Sequence, residues 1–293
     1  MNRLYGTGVA IITPFNSDGS VDFNGLKNLI NFLIEGKCDY LVSLGTTGET
    51  ATLTKEEKES IWKFTAETVA GRVPLVAGIG GNNTREAVES VKSFTISGYE
   101  AILSVSPYYN KPTQEGIFQH YKAIAEASPL PVILYNVPGR TGSSIHAETT
   151  LRLAQEKNII GIKEASGNFD CFNKILAEKP EDFLLISGDD PITLPLIALG
   201  AVGVISVVGN VFPKILSKMV QLCLENKFKE AQILHYKLAP VTNLFFEEGN
   251  PAGVKAALKY LGVCNDTLRL PLVNVSENLY NRIVEETNKL TDQ

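Results

Sequence analysis

The apolar run Ile159-Ile160-Gly161-Ile162 ends in Lys163, a residue type that is suited to covalent chemistry when it leaves water. Desolvating an ammonium without a partner costs several kcal/mol, so chains normally keep lysine solvated. At its ordinary pKa of about 10.4, a lysine is neutral at pH 7 in only about a few parts in ten thousand. Burial favours the neutral amine and lowers that pKa. A neutral amine is the nucleophile that forms a Schiff base with a carbonyl. Further polar residues stand at the ends of other apolar runs: Thr46, Thr47 and Glu49; Tyr108, Tyr109 and Asn110; Tyr135, Asn136 and Arg140; Glu164; Asp189 and Asp190. Tyrosine hydroxyls relay the protons that carbinolamine formation and dehydration require. Thr46 and Thr47, with the backbone N–H groups of the GTTGE turn, offer a cradle for a carboxylate.

Each residue also has a plainer reading. Lys163 alone fits a lysine whose head snorkels out of a barrel mouth or pairs with a carboxylate. Tyr135 alone fits a core aromatic with a satisfied hydroxyl. Arg140 fits a solvated loop charge, Gly45 and Gly48 serve a turn, and Glu49 ties that loop to backbone amides. Asp189-Asp190, just before Pro191, reads as a helix N-cap as readily as a functional pair. Glu164 points away from Lys163 if the run is a strand.

The elements that must position these residues recur along all 293 residues. Short runs rich in Val, Ile and Leu occupy 8–15, 40–49, 74–82, 101–109, 131–138, 159–167, 183–190 and 202–210. Such runs, bounded by Gly, Pro and Asn, suit strands of a parallel sheet buried on both faces. Between them lie helical patterns with start signals. Thr54 and Glu57 form a capping box, and Asn83 and Thr113 open two further helices. Leu26, Leu29, Ile30 and Leu33 mark one helical face. Eight strand–helix alternations close a (β/α)8 TIM barrel, which commonly takes about 250 residues and carries its chemistry at the C-terminal ends of the strands. The expected organisation is a catalytic barrel over 1–227, including an eighth helix near 213–227. A C-terminal helical extension over 228–293 follows, with helices near 228–246, 250–261 and 275–290.

Composition narrows the function further. The hydrophobic fraction of 44% is ample for a large core, and a net charge of −5 with scattered Lys and Arg favours neither nucleic acid nor an anionic membrane. The apolar stretch before Thr13-Pro14 is too short for a signal segment or a membrane span. The expectation is a cytoplasmic protein with Cys38, Cys171, Cys223 and Cys264 reduced. The three histidines, His120, His146 and His235, have no HxH or HExxH spacing, which disfavours metal catalysis. GIGGNN at 78–83 fails the dinucleotide fingerprint because Asn83 takes the place of its third glycine.

GTTGE (45–49), SPYYNKPTQEG (106–116), ILYNVPGRTG (133–142), GIKEASGN (161–168), SGDD (187–190) and GVISV (203–207) together resemble the 4-hydroxy-tetrahydrodipicolinate (dihydrodipicolinate) synthase family. That family lies in the pyruvate-lyase superfamily that includes N-acetylneuraminate lyase. The likeness runs from about Tyr5 to the FEEGNPAGVKAALKYLG and DTLRLPL segments. It implies that Lys163 forms a Schiff base with pyruvate and that Tyr135 relays protons in a triad with Thr46 and Tyr109. The tyrosine at position 109 would reach a neighbouring site within a homotetramer, a dimer of dimers. Thr47 would hold the pyruvate carboxylate, Gly188 and Ile205 would supply backbone contacts, and Arg140 would grip the carboxylate of L-aspartate 4-semialdehyde. No cofactor is implied, because the protonated imine is itself the electron sink.

Arg140 favours this reaction over a sugar-acid lyase, since a guanidinium suits a short aldehyde carrying a carboxylate better than a polyol. The alternatives are N-acetylneuraminate lyase or another Schiff-base pyruvate aldolase acting on a sugar acid, and a catalytically inactive barrel kept as a binding subunit. The resemblance also implies a regulatory lysine site at Thr50, Ala51, Lys55, Lys58, Asn82, Glu86 and Tyr108. Lys55 and Lys58 replace histidines of the inhibited pattern, and fixed cations weaken the binding of a cationic ligand. The expectation is weak or absent inhibition by lysine.

Overall fold

The computed structural model describes residues 3–291; Met1, Asn2, Asp292 and Gln293, at the ends of the two expected segments, lie outside them. Eight parallel strands close into a barrel in chain order. They are β1 (Gly6–Ala10), β2 (Tyr40–Ser43), β3 (Leu75–Gly78), β4 (Tyr99–Val105), β5 (Val132–Asn136), β6 (Ile159–Glu164), β7 (Leu184–Ser187) and β8 (Gly203–Ser206). β1 pairs with both β2 and β8, so the sheet has no free edge. The strands are buried along nearly their whole length, hence their continuous apolar runs in sequence.

Successive strand residues divide between two apolar layers. Leu41, Ile102 and Leu134 join the layer between barrel and helices. Val42, Leu103, Ile133, Tyr135, Ile186 and Ile205 fill the barrel interior. Lys163 stands in register with Tyr135 on one side and Ile186 on the other. A period of two therefore sends Lys163 into the barrel and its neighbour Glu164 outward, alongside Asn136.

The helix signals hold. Phe23–Glu35 buries Leu26, Leu29, Ile30 and Leu33. The capping box opens Lys55–Val69, with the Glu57 N–H donating to Thr54 Oγ1 at 3.2 Å and the Thr54 N–H donating to Glu57 Oε2 at 2.9 Å. Asn83 and Thr113 cap Thr84–Lys92 and Gln114–Ala127. After the helix Pro213–Leu224, the chain forms Phe228–Glu247, Ala252–Tyr260 and Glu277–Thr291. Phe245 of the first of these stacks on Phe212 with centroids 6.3 Å apart, and Leu238, Val241 and Leu244 enter the outer apolar layer.

The strands are shorter than the apolar runs, for local reasons. β2 stops at Ser43 because Leu44 (φ 57°) turns left-handed, and Glu49 (φ 52°) does so again after the 3₁₀ turn Thr46–Gly48. Non-glycine residues hold that conformation only where surroundings over-determine it. β1 begins at Gly6, two residues before the apolar run, because Gly6 and Thr7 carry no apolar signal. Arg140 lies not in an open loop but on the short helix Pro138–Thr141, with proline in its first turn.

Candidate active site

The C-terminal ends of β2, β3, β4 and β5 surround a cavity of about 470 Å³ lined by Thr46, Thr50, Tyr135, Arg140 and Asn250, among others. Beside Tyr135, Lys163 is only 4% exposed, and its Nζ lies 4.3 Å from the centroid of the Tyr135 ring. Among the described residues this ammonium takes part in no ion pair; it instead feels the nearby carboxyls of Asp189 and Asp190 across space. Burial raises the pKa of both carboxyls, and the charge of Lys163 acts against that rise. Gly188 makes room for the lysine stem: a Cβ there would lie 3.0 Å from Lys163 Cγ and 2.8 Å from Ala165 Cβ. Ile205 is buried in the barrel interior on β8.

Thr46 and Thr47 sit on the 3₁₀ turn after β2. The turn is held from the far end of the chain. Glu49 Oε1 pairs with Lys255 Nζ at 2.5 Å, both side chains wholly buried, and Glu49 Oε2 accepts from the Arg269 N–H at 3.2 Å. Glu49 thus ties its loop to a buried cation and only secondarily to a backbone amide. Asn250 Nδ2 donates to Thr47 Oγ1 at 2.9 Å, and Arg140 Nη2 donates to the Asn250 carbonyl at 3.5 Å.

Tyr109 is not brought to Lys163 within the chain. It has a left-handed backbone (φ 74°) and is 89% exposed. Of the positions assigned to a regulatory site, Thr50, Ala51, Lys58 and Tyr108 line the same cavity as Tyr135. Lys55, Asn82 and Glu86 do not; Asn82 donates to the Tyr108 carbonyl at 3.0 Å and Glu86 accepts from Asn83 Nδ2 at 2.9 Å. Lys58 is half-buried, and desolvation holds its ammonium below the usual lysine range.

Of the acidic pair after β7, Asp189 stands at the N-cap position of the 3₁₀ turn Asp190–Ile192, and the two carboxyls differ in their contacts. Asp189 makes no side-chain cap bond. Asp190 is buried and accepts from Ser206 Oγ and from the N–H groups of Val207 (3.0 Å) and Val208 (3.2 Å), pinning the loop after β8. Glu164 does more than point away. Its two carboxylate oxygens accept from Asn136 Nδ2 at 3.0 and 2.9 Å, and Oε1 also accepts from the Ser166 N–H at 2.8 Å. Burial raises its pKa, and these hydrogen bonds oppose the rise. The four cysteines are free, and burial pushes the thiols of Cys38, Cys171 and Cys264 up to about 12, far from a nucleophilic thiolate.

Sequence reading missed Asn250, Lys255 and Arg269 as parts of this region. The available signal was a lysine inside the apolar helix pattern of GNPAGVKAALK, with Asn250-Pro251 ahead of it.

A closed parallel barrel with an unpaired lysine inside, at the C-terminal end of its strands, belongs to the class of barrel enzymes that do their chemistry at that face. Comparison with known proteins narrows the class. The sequence model of the Dihydrodipicolinate synthetase family matches residues 3–290. The 4-hydroxy-tetrahydrodipicolinate synthase of Flavobacterium psychrophilum is 56% identical over 292 residues, covering 99% of this chain and 100% of the relative. Among solved structures, dihydrodipicolinate synthase from Aquifex aeolicus matches with a TM-score of 0.95 at 41% identity, over 98% of each chain. A chloride-inhibited dihydrodipicolinate synthase from Acinetobacter baumannii, complexed with pyruvate, matches with a TM-score of 0.94 at 42% identity, again over 98% of each. The chain belongs to the dihydrodipicolinate synthetase family and is an enzyme, a Schiff-base lyase. Among the described residues no helix is long and apolar enough to cross a membrane.

Proposed function

We propose that the enzyme condenses pyruvate with L-aspartate 4-semialdehyde to give 4-hydroxy-tetrahydrodipicolinate, in the diaminopimelate route to lysine. The observation that carries this reading is Lys163, buried inside the barrel without an ion-pair partner and with its Nζ 4.3 Å from the Tyr135 ring centroid. In its neutral form the amine attacks the keto carbon of pyruvate. Tyr135, with Thr46, moves protons as the carbinolamine forms and loses water to the protonated imine. Thr47 holds the carboxylate, while Gly188 and Ile205 line the imine. Loss of a methyl proton gives the enamine, which attacks the aldehyde carbon and forms the new C–C bond. The free amine of the semialdehyde then displaces Lys163 as the ring closes.

Arg140 sits at the rim of the same cavity as Tyr135, where its guanidinium can take the semialdehyde carboxylate bidentately. Tyr109 completes the proton relay of a neighbouring subunit in a homotetramer, a role that its exposure on a single chain favours. Residues 1–227 act as the catalytic barrel, and 228–293 as an extension that braces its mouth. The enzyme works in the cytoplasm without a cofactor and without nucleic-acid or membrane partners. With Lys55 exposed and Lys58 at the cavity wall, inhibition by lysine is weak or absent. Titrating the rate with lysine tests this, and tight inhibition would overturn it.

The function is tested by supplying pyruvate with L-aspartate 4-semialdehyde or, separately, with N-acetylmannosamine. Turnover of the semialdehyde is expected. Turnover of the sugar alone would make the enzyme a sugar-acid lyase, and turnover of neither would favour a binding subunit.

A further inference from the structure

Asn250 stands between the two groups that the proposed reaction assigns to carboxylates. Its Nδ2 donates to Thr47 Oγ1 at 2.9 Å, from 203 residues further along the chain, and its backbone carbonyl accepts from Arg140 Nη2 at 3.5 Å. The residue is 7% exposed and lines the cavity shared by Thr46, Tyr135 and Arg140. Its Oδ1 is buried and has no hydrogen-bond partner.

A threonine hydroxyl has one proton and two acceptor lone pairs. When an amide N–H fills one lone pair, the hydroxyl proton cannot point back along that bond and is left to be donated elsewhere. We propose that Asn250 is a positioning residue that fixes the Thr47 hydroxyl as a donor toward the carboxylate of pyruvate, making that end of the site selective for a group that only accepts hydrogen bonds. The inference rests on Thr47 being the carboxylate ligand. The unpartnered Oδ1 fits it: turning the N–H groups toward Thr47 leaves a buried acceptor unsatisfied, an arrangement that local stability alone disfavours. At the Arg140 end the contact uses the backbone, which survives any change of side chain. The two ends of Asn250 are therefore separable by mutation.

Asn250→Asp keeps the size of the side chain and replaces its donor with an acceptor, which captures the Thr47 proton and adds a charge repelling the substrate. The KM for pyruvate, and the half-saturation of borohydride trapping by pyruvate, are expected to rise by about tenfold or more. The kcat and the KM for the semialdehyde should change by less than about threefold, as for loss of a ground-state contact at one substrate only. Asn250→Ser, neutral and too short to reach Thr47, should move pyruvate half-saturation in the same direction by less. In a Thr47→Val background either change should lose its effect on pyruvate. If Thr47→Val alone leaves pyruvate half-saturation where it was, the reading of Thr47 fails independently of Asn250. If Thr47→Val weakens pyruvate but the Asn250 variants do not, the proposal is overturned. It is equally overturned if they weaken both substrates alike, or keep their full effect when combined with Thr47→Val.

Discussion

Among the described residues two lysines are buried, and the Nζ of each lies 4.3 Å from the centroid of an aromatic ring, Lys163 over Tyr135 and Lys255 over Phe15. Their remaining surroundings differ. Lys255 donates to the Thr267 carbonyl at 2.8 Å and pairs with Glu49 at 2.5 Å, with neither side chain of the pair exposed. Desolvation lowers the pKa of Lys255, and Glu49 opposes that fall. Lys163 has no such pair; the carboxylates nearest in the field, Asp189 and Asp190, are held by burial toward their neutral forms. A buried ammonium with a carboxylate and a carbonyl is a fastener, whereas one beside a ring and without such a pair has its amine free to react. Burial therefore does not by itself identify a nucleophile; the partner set does.

The largest effect that would break this contrast is on catalysis. Lys163→Ala should lower kcat by about 10⁴-fold or more, equivalent to about 5.5 kcal/mol, while the chain melts cooperatively near the parent temperature. Substantial residual turnover would move the nucleophile elsewhere. Lys255→Met should act on stability instead, costing about 3–5 kcal/mol in denaturant titrations because Glu49 is left buried without its cation, with only the Arg269 backbone N–H to pair with. The double change Glu49→Gln with Lys255→Met should recover most of that loss, and failure to recover would mean that the pair is not what Lys255 contributes.

Tyr135→Phe keeps the ring under Lys163 and removes only the hydroxyl. It is expected to lower kcat by about 10²-fold with little change in stability, which separates the proton relay from ring packing. The smallest effect concerns the brace around Lys255. Arg269 holds the Glu57 carboxyl down to about 2 from its ordinary 4.5. Because the folded-state pKa is the lower one, this stabilisation is fully present above about pH 4.5 and is lost as pH falls toward 2. The stability gap between the parent and Glu57→Gln should be widest above pH 5 and close on acidification; a gap that widens in acid would contradict it.

The barrel was legible because its signals are local. Runs such as PVILYNVP and caps such as Thr54 with Glu57 state their element within a few residues. Lys163 and Tyr135 were legible as strand-end residues for the same reason, and the β5–β6 register then aligns them. What stayed hidden depends on distant chain meeting the mouth. Thr47 meets Asn250 across 203 residues, and Glu57 meets Arg269 across 212. Lys255 stands inside the apolar pattern of GNPAGVKAALK, but its sequence does not name its partner, Glu49, which lies far away in the chain. Asp190 reads as a cap from sequence alone because the groups it binds lie on the loop after β8, not on the helix it precedes.

The most direct test of the contrast is covalent trapping. The parent chain is incubated with pyruvate, reduced with borohydride and mapped by peptide mass spectrometry. A pyruvyl adduct on Lys163, with Lys255 unmodified, is the expected result. No adduct, or an adduct confined to Lys255 or another lysine, would contradict it.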